Sequence, residues 1–424
     1  MKKIFLFSLL FIINTLSLCA QPGRTILYKP SIHTVRMMID GNAENFPVMT
    51  LGSGETLELS FDDLTHEYVR YTYKVEHCDY EGVPSDELFE SDYLYSVSDE
   101  EVITDYEPSE NTTVLYTHYT LSLPNTRMRP LLSGNYRISV FDEDEEGNAH
   151  KAFQCYFGVV EKKVGMYAQC TTDTEIDRNE THQQLSLRAD CSNLTLRNPN
   201  DEIKLMVMQN RRLDNAVVGV PPTAQNGNTL LWEHTRALIF DAGNEYRKME
   251  ILSTRYPGMH GESVKWFDPY YHYTLMTDYP RKNYLYDEEH NGIYIVRSEG
   301  AGNADTQADY VLAHFVLDMP QLPNATGVYL SGQWTTGLFS AYKMQYNEVD
   351  QQYTAELLLK CGYYNYMYLY TTPNAPYVGH TQETEGNFFQ TENEYDLLLY
   401  YRPTGTRYWQ LVACITPKYK QGRR

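Results

Sequence analysis

The chain has 424 residues, 38 of them tyrosine, and its formal net charge is −21 at pH 7. This length exceeds the roughly 250–300 residues that one hydrophobic core supports, so several domains are expected. The acidic balance excludes nucleic acid and anionic membrane surfaces as partners, because both attract clusters of Lys and Arg.

The first twenty residues have the pattern of a secretory signal peptide. Lys2 and Lys3 precede an apolar run at 4–13, and residues 18–20 form a cleavage end before Gln21. The run is shorter than the roughly 20 residues of a transmembrane helix, and no later run is longer, so no direct membrane insertion is expected. A lipid anchor on Cys19 is the alternative, which the bulky residue before it disfavours.

Residues 21–160 are expected to form an acidic β-sandwich, with 9 basic and 25 acidic residues. Alternating apolar and polar side chains at 56–61, 71–75 and 119–123 predict strands. Residues 136–157 predict a β-hairpin with an acidic tip at 142–148. The tip begins like a calcium loop, but Phe153 stands where the chelating Glu is needed, so a solvated turn is the favoured interpretation.

The stretch 80–112 is predicted to be a long acidic excursion, and long loops often carry function. Together with the hairpin tip it gives our hypothesis for a docking surface. The candidate partner contacts are the tyrosines of the loop and the carboxylates of the tip: Tyr93, Tyr95, Tyr106, Asp142, Glu143, Asp144, Glu145 and Glu146.

Residues 161–320 are expected to form a central β-rich domain, and residues 321–424 an early-set immunoglobulin-like β-sandwich. Asn291-Gly292 predicts a hairpin turn between 284–286 and 293–296. Side chains alternate along a strand, so Tyr364, Tyr366 and Tyr368 share one face. With Trp334 they could pack inside the domain, contact a partner or bind a glycan by stacking. The predicted fold class is mostly β, with tandem immunoglobulin-like/early-set β-sandwich domains.

The six cysteines after the signal peptide allow 15 disulfide connectivities in an oxidising compartment. The least speculative pair is Cys170 and Cys191. The alternative is that several cysteines are free, buried and apolar in character. In order the six are Cys78, Cys155, Cys170, Cys191, Cys361 and Cys414.

Catalytic patterns are weak, and we expect no enzyme activity, metal or cofactor. His77 and Cys78 are adjacent on a predicted strand and point to opposite faces, so they cannot pair as base and nucleophile. Asp62 and Asp63 are interpreted as caps of a strand-ending turn rather than as paired acids. The sequence has no HExxH, CxxC pair, P-loop or GxSxG motif.

An ordered set of motifs spans most of the chain. In the first 160 residues they are LSFDDL (59–64), YTYKVEHCD (71–79), DYEPSENT (105–112), YTHYTLSLPN (116–125) and SGNYRISV (133–140). Further along they are MQNRR (208–212), FDAGNEYR (240–247), DYPR (278–281), ADYVLAHFVL (308–317), LLLKCGYYNY (357–366) and TENEYDLLLYYR (391–402). This succession resembles the plug proteins of the Bacteroidetes type IX secretion system.

The resemblance implies a non-enzymatic protein of the periplasm, at the inner face of the outer membrane. It implies one partner, the large outer-membrane β-barrel translocon, whose pore the plug would occlude. We expect a monomer. The alternative hypothesis is a cell-envelope carbohydrate-binding module that uses the aromatic face of the last domain.

Overall fold

The computed structural model describes residues 23–98, 100–144, 146–337 and 339–420. The predicted signal peptide and Glu145 lie outside the described residues. Strands form 48% of the chain and helices 5%, which confirms the mostly β fold. The sheets group into three packed units, and each unit has its own hydrophobic core.

The first unit is a sandwich of two mainly antiparallel sheets. One sheet has the order β2-β4-β9-β8, and the other contributes β12-β11-β5-β7, with β1 and β3 also paired to β12. Phe61 and Tyr119 stack at 5.1 Å in the core between them, opposite Val75 and Ile138. The strands are β1 (Ile26–Leu27), β2 (Ile32–Ile39), β3 (Val48–Thr50), β4 (Leu57–Asp63), β5 (Thr72–Cys78), β6 (Leu94–Ser96), β7 (Glu101–Val102), β8 (Asp105–Pro108), β9 (Thr117–Leu123), β10 (Met128–Pro130), β11 (Gly134–Glu143) and β12 (Ala149–Val160).

The stretch 80–112 is an ordered excursion from this sandwich. It contains the one-turn helix α1 (Glu90–Tyr93), followed at once by β6. Strand β6 pairs with β10 in a separate two-stranded ribbon, while β7 and β8 rejoin the two sheets as edge strands. The predicted strands at 56–61, 71–75 and 119–123 and the β11–β12 hairpin are all present.

The second unit combines strands from two distant parts of the chain. A sheet β13-β14-β18-β17, with β19 on β14, packs against β16-β15-β30-β31. The strands are β13 (Gly165–Thr171), β14 (His182–Asp190), β15 (Ile203–Gln209), β16 (Val217–Val220), β17 (Ala224–Asn226), β18 (Thr229–Trp232) and β19 (Ile239–Asp241), and from the end of the chain β30 (Tyr395–Tyr401) and β31 (Gln410–Ile415). The short helices are α2 (Pro199–Glu202) and the 3-10 turn Arg236–Leu238.

The third unit is a second sandwich, built around the long strand β28. This strand pairs with β20, β23, β25 and β29, and the opposite sheet has the order β21-β22-β24-β27-β26. The strands are β20 (Arg247–Ile251), β21 (Gly261–Phe267), β22 (Tyr270–Leu275), β23 (Tyr294–Val296), β24 (Tyr310–Asp318), β25 (Gly327–Ser331), β26 (Gln345–Asn347), β27 (Gln352–Lys360), β28 (Gly362–Thr372) and β29 (Ala375–His380). Helix α3 (Ala304–Gln307) and the 3-10 turn Phe339–Tyr342 complete it.

The expected domain boundary near 320 is wrong. Strands β24 and β27 lie on either side of it and pair along nine residues, so residues 161–320 and 321–424 are not separate domains. Strand β30 follows the third unit in the chain but pairs with β15 of the second unit. Both β15 and β30 are buried on both faces, and such strands need neighbours that local pattern does not specify. The expected boundary near 160 coincides with the end of β12.

One large sheet joins the first two units. Val160 of β12 pairs in parallel with Leu411 of β31, which extends the first unit's sheet into the second. Across the junction, the Tyr400 hydroxyl donates to Asn135 Oδ1 at 3.0 Å. In the described part of the chain no helix is long and apolar enough to cross a membrane.

Candidate functional site

The β6–β10 ribbon presents apolar side chains to solvent. Tyr95 in β6 and Val97, one residue beyond its end, are 43% and 56% exposed, while the neighbouring Leu94 is buried against the core. The guanidinium of Arg129, opposite on β10, lies 4.6 Å from the Tyr95 ring. Phe89, at the start of α1, is 73% exposed. We name Phe89, Tyr95 and Val97 the apolar ribbon.

The apolar ribbon lies in the most one-signed segment of the chain. Residues 75–126 contain 13 carboxylates and no Lys or Arg. Three of these carboxylates pair with cations from elsewhere: Glu76 with Arg137, Asp92 with Arg407 and Glu101 with Arg127.

Other carboxylates of the segment are exposed to solvent and are not neutralised by an ion pair. Asp86, Glu87 and Asp105 are exposed and have no ion pair among the described residues. The combination of exposed apolar area and uncompensated negative charge is suited to a basic, partly apolar protein surface.

Tyr93 is the predicted contact residue that the structure contradicts. It is buried, and its carbonyl accepts a hydrogen bond from the Tyr136 hydroxyl at 3.2 Å. The alternation that exposes Tyr95 does not extend back to Tyr93, because α1 ends there and strand geometry begins only at Leu94. Tyr106 is partly exposed on the edge strand β8, with its ring 4.7 Å from that of Tyr68.

The acidic hairpin tip is largely satisfied within the first unit. Asp142 pairs with Lys29 at 2.8 Å and Glu143 with Arg70 at 2.5 Å. Asp144 accepts hydrogen bonds from the backbone N–H groups of residues 146 and 148 at 2.9 and 2.8 Å, which hold the turn. Hydrogen bonds from the side chains of Asn148 and His150 are the largest cause of the lowered pKa of its carboxyl. Of the described tip acids only Glu146 is without an ion pair; it is exposed, and its Oε2 accepts a hydrogen bond from Asn148 Nδ2 at 3.5 Å. The tip therefore offers a partner fewer unpaired charges than the acidic segment around the ribbon does.

A buried charge cluster fastens the first unit to the third. Lys360, at the end of β27, donates to Asp62 Oδ2 of β4 at 2.6 Å and to the Asp305 carbonyl at 2.6 Å, and both charged side chains are fully buried. The Tyr310 hydroxyl also donates to Asp62 Oδ2 at 2.6 Å, and His118 Nδ1 lies 2.6 Å from Oδ1. We name the four side chains Asp62, His118, Tyr310 and Lys360 the buried lock.

The buried lock corrects the sequence interpretation of the Asp62-Asp63 pair. Asp63 does cap the turn, accepting from the Thr65 N–H at 3.1 Å, but Asp62 faces the third unit. Burial alone would raise the pKa of Asp62, and the charge of Lys360 with the hydrogen bond from His118 outweighs it and lowers that pKa. The carboxylate is therefore a structural anion between two units.

A loop beside the lock extends the contact between these units. Asp309 accepts hydrogen bonds from the backbone N–H groups of Thr113 and Val114 at 2.8 and 3.0 Å. The Glu110 N–H donates to the Thr306 carbonyl at 2.9 Å. These contacts involve the segment that follows β8, so the first unit is held by the third at one end of the excursion that carries the ribbon.

The tyrosine face expected to bind glycan is buried. Tyr364, Tyr366 and Tyr368 do point to one side of β28, but that side is the core of the third unit, and Trp334 lies in the same core. The hydroxyls of Tyr366 and Tyr368 donate to Asp278 Oδ2 at 2.8 and 2.7 Å. Sugar rings need exposed aromatic faces, so these residues cannot form a glycan site in this fold.

The Cys170–Cys191 disulfide is also wrong. Cys170 lies opposite Leu185 in the β13–β14 hairpin, six residues along the strand from Cys191. That spacing is about 20 Å at the rise of a strand, whereas a disulfide needs Cα atoms within about 7 Å. All six cysteines are free thiols.

The neighbouring His77 and Cys78 are structural. His77 is buried with Nδ1 2.9 Å from the Ser85 hydroxyl and Nε2 3.2 Å from the Ser133 carbonyl, and burial lowers its pKa to about 4. Burial raises the pKa of Cys78 to about 12, so its thiol is not a nucleophile at neutral pH. The described residues include no group of three or more His, Cys, Asp or Glu side chains that could hold a metal ion.

The family described as "Type 9 secretion system plug protein 1st domain" matches residues 32–161, the first unit almost from end to end. The crystal structure of a hypothetical protein from Parabacteroides merdae is similar over nearly the whole fold. It is 38% identical, has a TM-score of 0.90 and is aligned over 94% of this chain and 100% of its own. Residues 32–161 of the chain belong to the type 9 secretion system plug protein first-domain family.

Two other comparisons add nothing to this. No curated protein matches the sequence. The major pilin subunit BcpA of Bacillus cereus is aligned over 55% of this chain and 61% of its own, with 8% identity and a TM-score of 0.16, which supports no conclusion.

Within this plug-family fold, the apolar ribbon and the acidic segment both belong to the matched first domain. Sequence reasoning found the segment and Tyr95 but missed Phe89 and Val97. The signal that could have found them is the absence of any cation over residues 75–126, combined with large apolar residues in a segment too acidic to be core.

Proposed function

We propose that this plug-family protein is a non-enzymatic periplasmic plug that docks on the outer-membrane β-barrel translocon of the type IX system. In this proposal the apolar ribbon and the surrounding acids bind the periplasmic rim of the barrel. Barrels of this class reach about 36 strands, so the lumen is wide enough to leak without a steric block. The plug would close it while no cargo occupies the pore.

The observation that carries the proposal is the segment 75–126, with 13 carboxylates and no cation, around an exposed apolar ribbon in the family's first domain. Exposed Phe, Tyr and Val side chains supply the apolar centre of an interface, and the uncompensated acids supply its rim. The buried lock supports the mechanism, because a steric plug has to resist deformation between its units.

A matched pair of variants tests the docking surface. Tyr95→Ser/Val97→Ser removes two exposed apolar groups of the ribbon, and Tyr167→Ser/Ile176→Ser removes two of comparable exposure from the second unit. Tagged mature chains are expressed in the source bacterium, and the translocon barrel that co-purifies from detergent-solubilised outer membrane is quantified by mass spectrometry. We expect the ribbon variant to recover about tenfold less barrel than wild type, as loss of a central apolar contact does.

The control variant should recover as much barrel as wild type. Raising the salt concentration to about 0.5 M should weaken wild-type recovery, because exposed charges are screened. If the ribbon variant and the control variant recover equal amounts of barrel, the docking surface lies elsewhere. The same conclusion follows if neither the salt concentration nor the ribbon substitutions change the amount of barrel recovered.

A permeability assay tests occlusion separately from docking. Cells that carry the ribbon variant as their only copy should admit a large antibiotic that an intact outer membrane excludes, and cells with the control variant should not. If the ribbon variant loses the barrel but permeability does not rise, docking of the wild-type protein is not what closes the pore.

A further inference from the structure

A cavity of about 280 Å³ lies where the three units meet. Its wall contains Val35 and Met37 from β2 of the first unit, Met206 and Met208 from β15 of the second, and Leu330 from β25 of the third. No single unit encloses it, so the cavity exists only in the assembled fold.

The apolar part of the wall is adaptable. Methionine side chains from two units line it beside Phe46 and Phe339. Thioether side chains are unbranched and polarisable, and they adjust to ligands of irregular shape. A volume close to 300 Å³ with mixed apolar and polar lining is the size at which small-molecule sites begin.

The polar part of the wall has unused positive charge. The Arg211 guanidinium donates only to neutral oxygens, the Ala43 carbonyl and Gln333 Oε1, each at 3.2 Å, and the Glu44 carbonyl. Arg24 donates to the Gly337 carbonyl at 2.5 Å, and burial lowers the pKa of its guanidinium. Neither guanidinium forms an ion pair within the described residues, and the carboxylate that interacts with Arg24 at longer range is Asp214.

A third guanidinium in the wall has an N–H donor without a hydrogen-bond acceptor. Arg36 pairs with Asp305 through Nη2, but its Nε is buried without a hydrogen-bond acceptor. A buried donor without a partner is costly and is normally satisfied. The carboxylate of Asp214, which also lines the cavity, is already held by Arg212 at 2.6 Å and by the Gly379 N–H at 2.9 Å.

The cavity is thus a cationic, partly apolar chamber inside a chain whose net charge is −21. We propose that it binds a small amphiphilic anion, in which an apolar body lies against the methionines and one carboxylate- or sulfonate-type group meets the guanidiniums of Arg211 and Arg24. This site is separate from the apolar ribbon, and its existence does not depend on the docking proposal.

Two probes of matched shape test the ligand class. 8-Anilinonaphthalene-1-sulfonate has an aromatic body and a sulfonate, and N-phenyl-1-naphthylamine has the same body without the charge. Binding to the full mature protein is measured by fluorescence titration, with stoichiometry. We expect one saturable site that binds the sulfonate, and no binding of the sulfonate would overturn the proposal.

Two substitutions locate the site. Arg211→Gln should weaken binding of the sulfonate about tenfold, the size of a lost charge-assisted hydrogen bond, and leave the uncharged probe within about twofold. Met38→Trp, on the cavity wall, should abolish binding of both probes by filling the space. The controls are Arg188→Gln, which removes an exposed guanidinium, and Val349→Trp, at a 90% exposed position.

The two controls should bind like wild type. If Arg211→Gln and Arg188→Gln give the same affinity, the charged group is not recognised in the cavity and the proposal fails. If Met38→Trp remains folded by circular dichroism and still binds, the probe occupies another surface and the proposal fails equally.

Discussion

The buried lock and the acidic segment around the apolar ribbon use carboxylates in opposite ways. In the lock, the charges of Asp62 and Lys360 are removed from water and every partner comes from the same chain. Around the ribbon, charges of one sign remain in water beside exposed Tyr95 and Val97. Both regions lie in or adjoin the same first unit.

The difference shows which acidic residues stabilise the fold and which are available to a partner. A buried ion pair is costly to break, because the remaining charge has no solvent. An exposed carboxylate without a partner contributes little to stability but biases which surfaces can approach. Substitutions in the two regions should therefore separate folding from binding.

The largest stability effect is expected from breaking the lock. Lys360→Met leaves the Asp62 carboxylate buried with hydrogen bonds to Tyr310 and His118 but without its ammonium partner, and we expect a loss of about 3 kcal/mol in the free energy of unfolding. Equilibrium unfolding in urea measures it. Lys343→Met, at an exposed lysine of the same unit whose ammonium donates to the Thr326 carbonyl, should cost about 0.5 kcal/mol or less.

A double substitution separates charge from packing in the lock. Asp62→Asn/Lys360→Met leaves no unpaired ion between the units, so it should be more stable than Lys360→Met alone. If the double variant is the less stable of the two, the stability lost in Lys360→Met comes from packing and not from an unpaired charge. The lock and the ribbon would then differ in burial rather than in the pairing of charges.

A pH-dependent effect of up to the same size is expected from His77. Its folded pKa of about 4 lies below the ordinary value of 6.5, so the unfolded chain takes up the proton first as the pH falls. Stability from this group is complete above about pH 6.5 and is lost towards pH 4, by up to about 3 kcal/mol. Asp396, whose pKa burial raises to about 6, acts in the opposite direction.

His77→Asn isolates the histidine from these other groups. The difference in unfolding free energy between wild type and variant should fall with decreasing pH between about 6.5 and 4 and be constant below. A difference that does not change over this window would show that His77 is protonated in the folded state. His77 would then be a buried charge of the fold, as Asp62 and Lys360 of the lock are.

Local pattern in the sequence was sufficient where neighbouring strands pair with each other. The β11–β12 hairpin and the strands β4, β5 and β9 follow from alternation over short segments. The Asn291-Gly292 hairpin is wrong, although both residues have the positive φ such a turn requires. The segment 284–286 is not a strand, and β23 pairs instead with β28, about 70 residues away.

Long-range burial was the part that the sequence did not reveal. The alternation of Tyr364, Tyr366 and Tyr368 was read correctly, but whether the shared face meets solvent or core depends on the opposite sheet, which comes from residues 261–360. The pairing of Lys360 with Asp62, 298 positions apart, has no local signal at all. The ribbon was partly visible, because its charge bias is a property of one continuous segment.

An intermediate effect is expected at the buried tyrosines. Tyr366→Phe removes one of the two hydroxyl donors to Asp278 Oδ2, and Tyr368 and Arg247 remain. We expect a loss of about 1–2 kcal/mol in the free energy of unfolding. Tyr167→Phe, at an exposed ring on β13, is the control and should change it by about 0.5 kcal/mol or less. Equal effects would mean that the hydroxyl of Tyr366 is not part of the core network.

The smallest stability effect is expected in the apolar ribbon. The same substitution can be made at an exposed valine of the ribbon and at a buried valine of the first unit's core. Val97→Ser changes an exposed side chain and should alter the free energy of unfolding by about 0.5 kcal/mol or less. Val75→Ser makes the same change at a fully buried position of β5 and should cost about 2 kcal/mol or more, since it removes apolar contacts and buries a hydroxyl. If Val97→Ser destabilises as much as Val75→Ser, the ribbon is part of the folded core and cannot be a surface kept for a partner. If it leaves stability unchanged while the ribbon variant loses the barrel, the exposed valine contributes to binding alone.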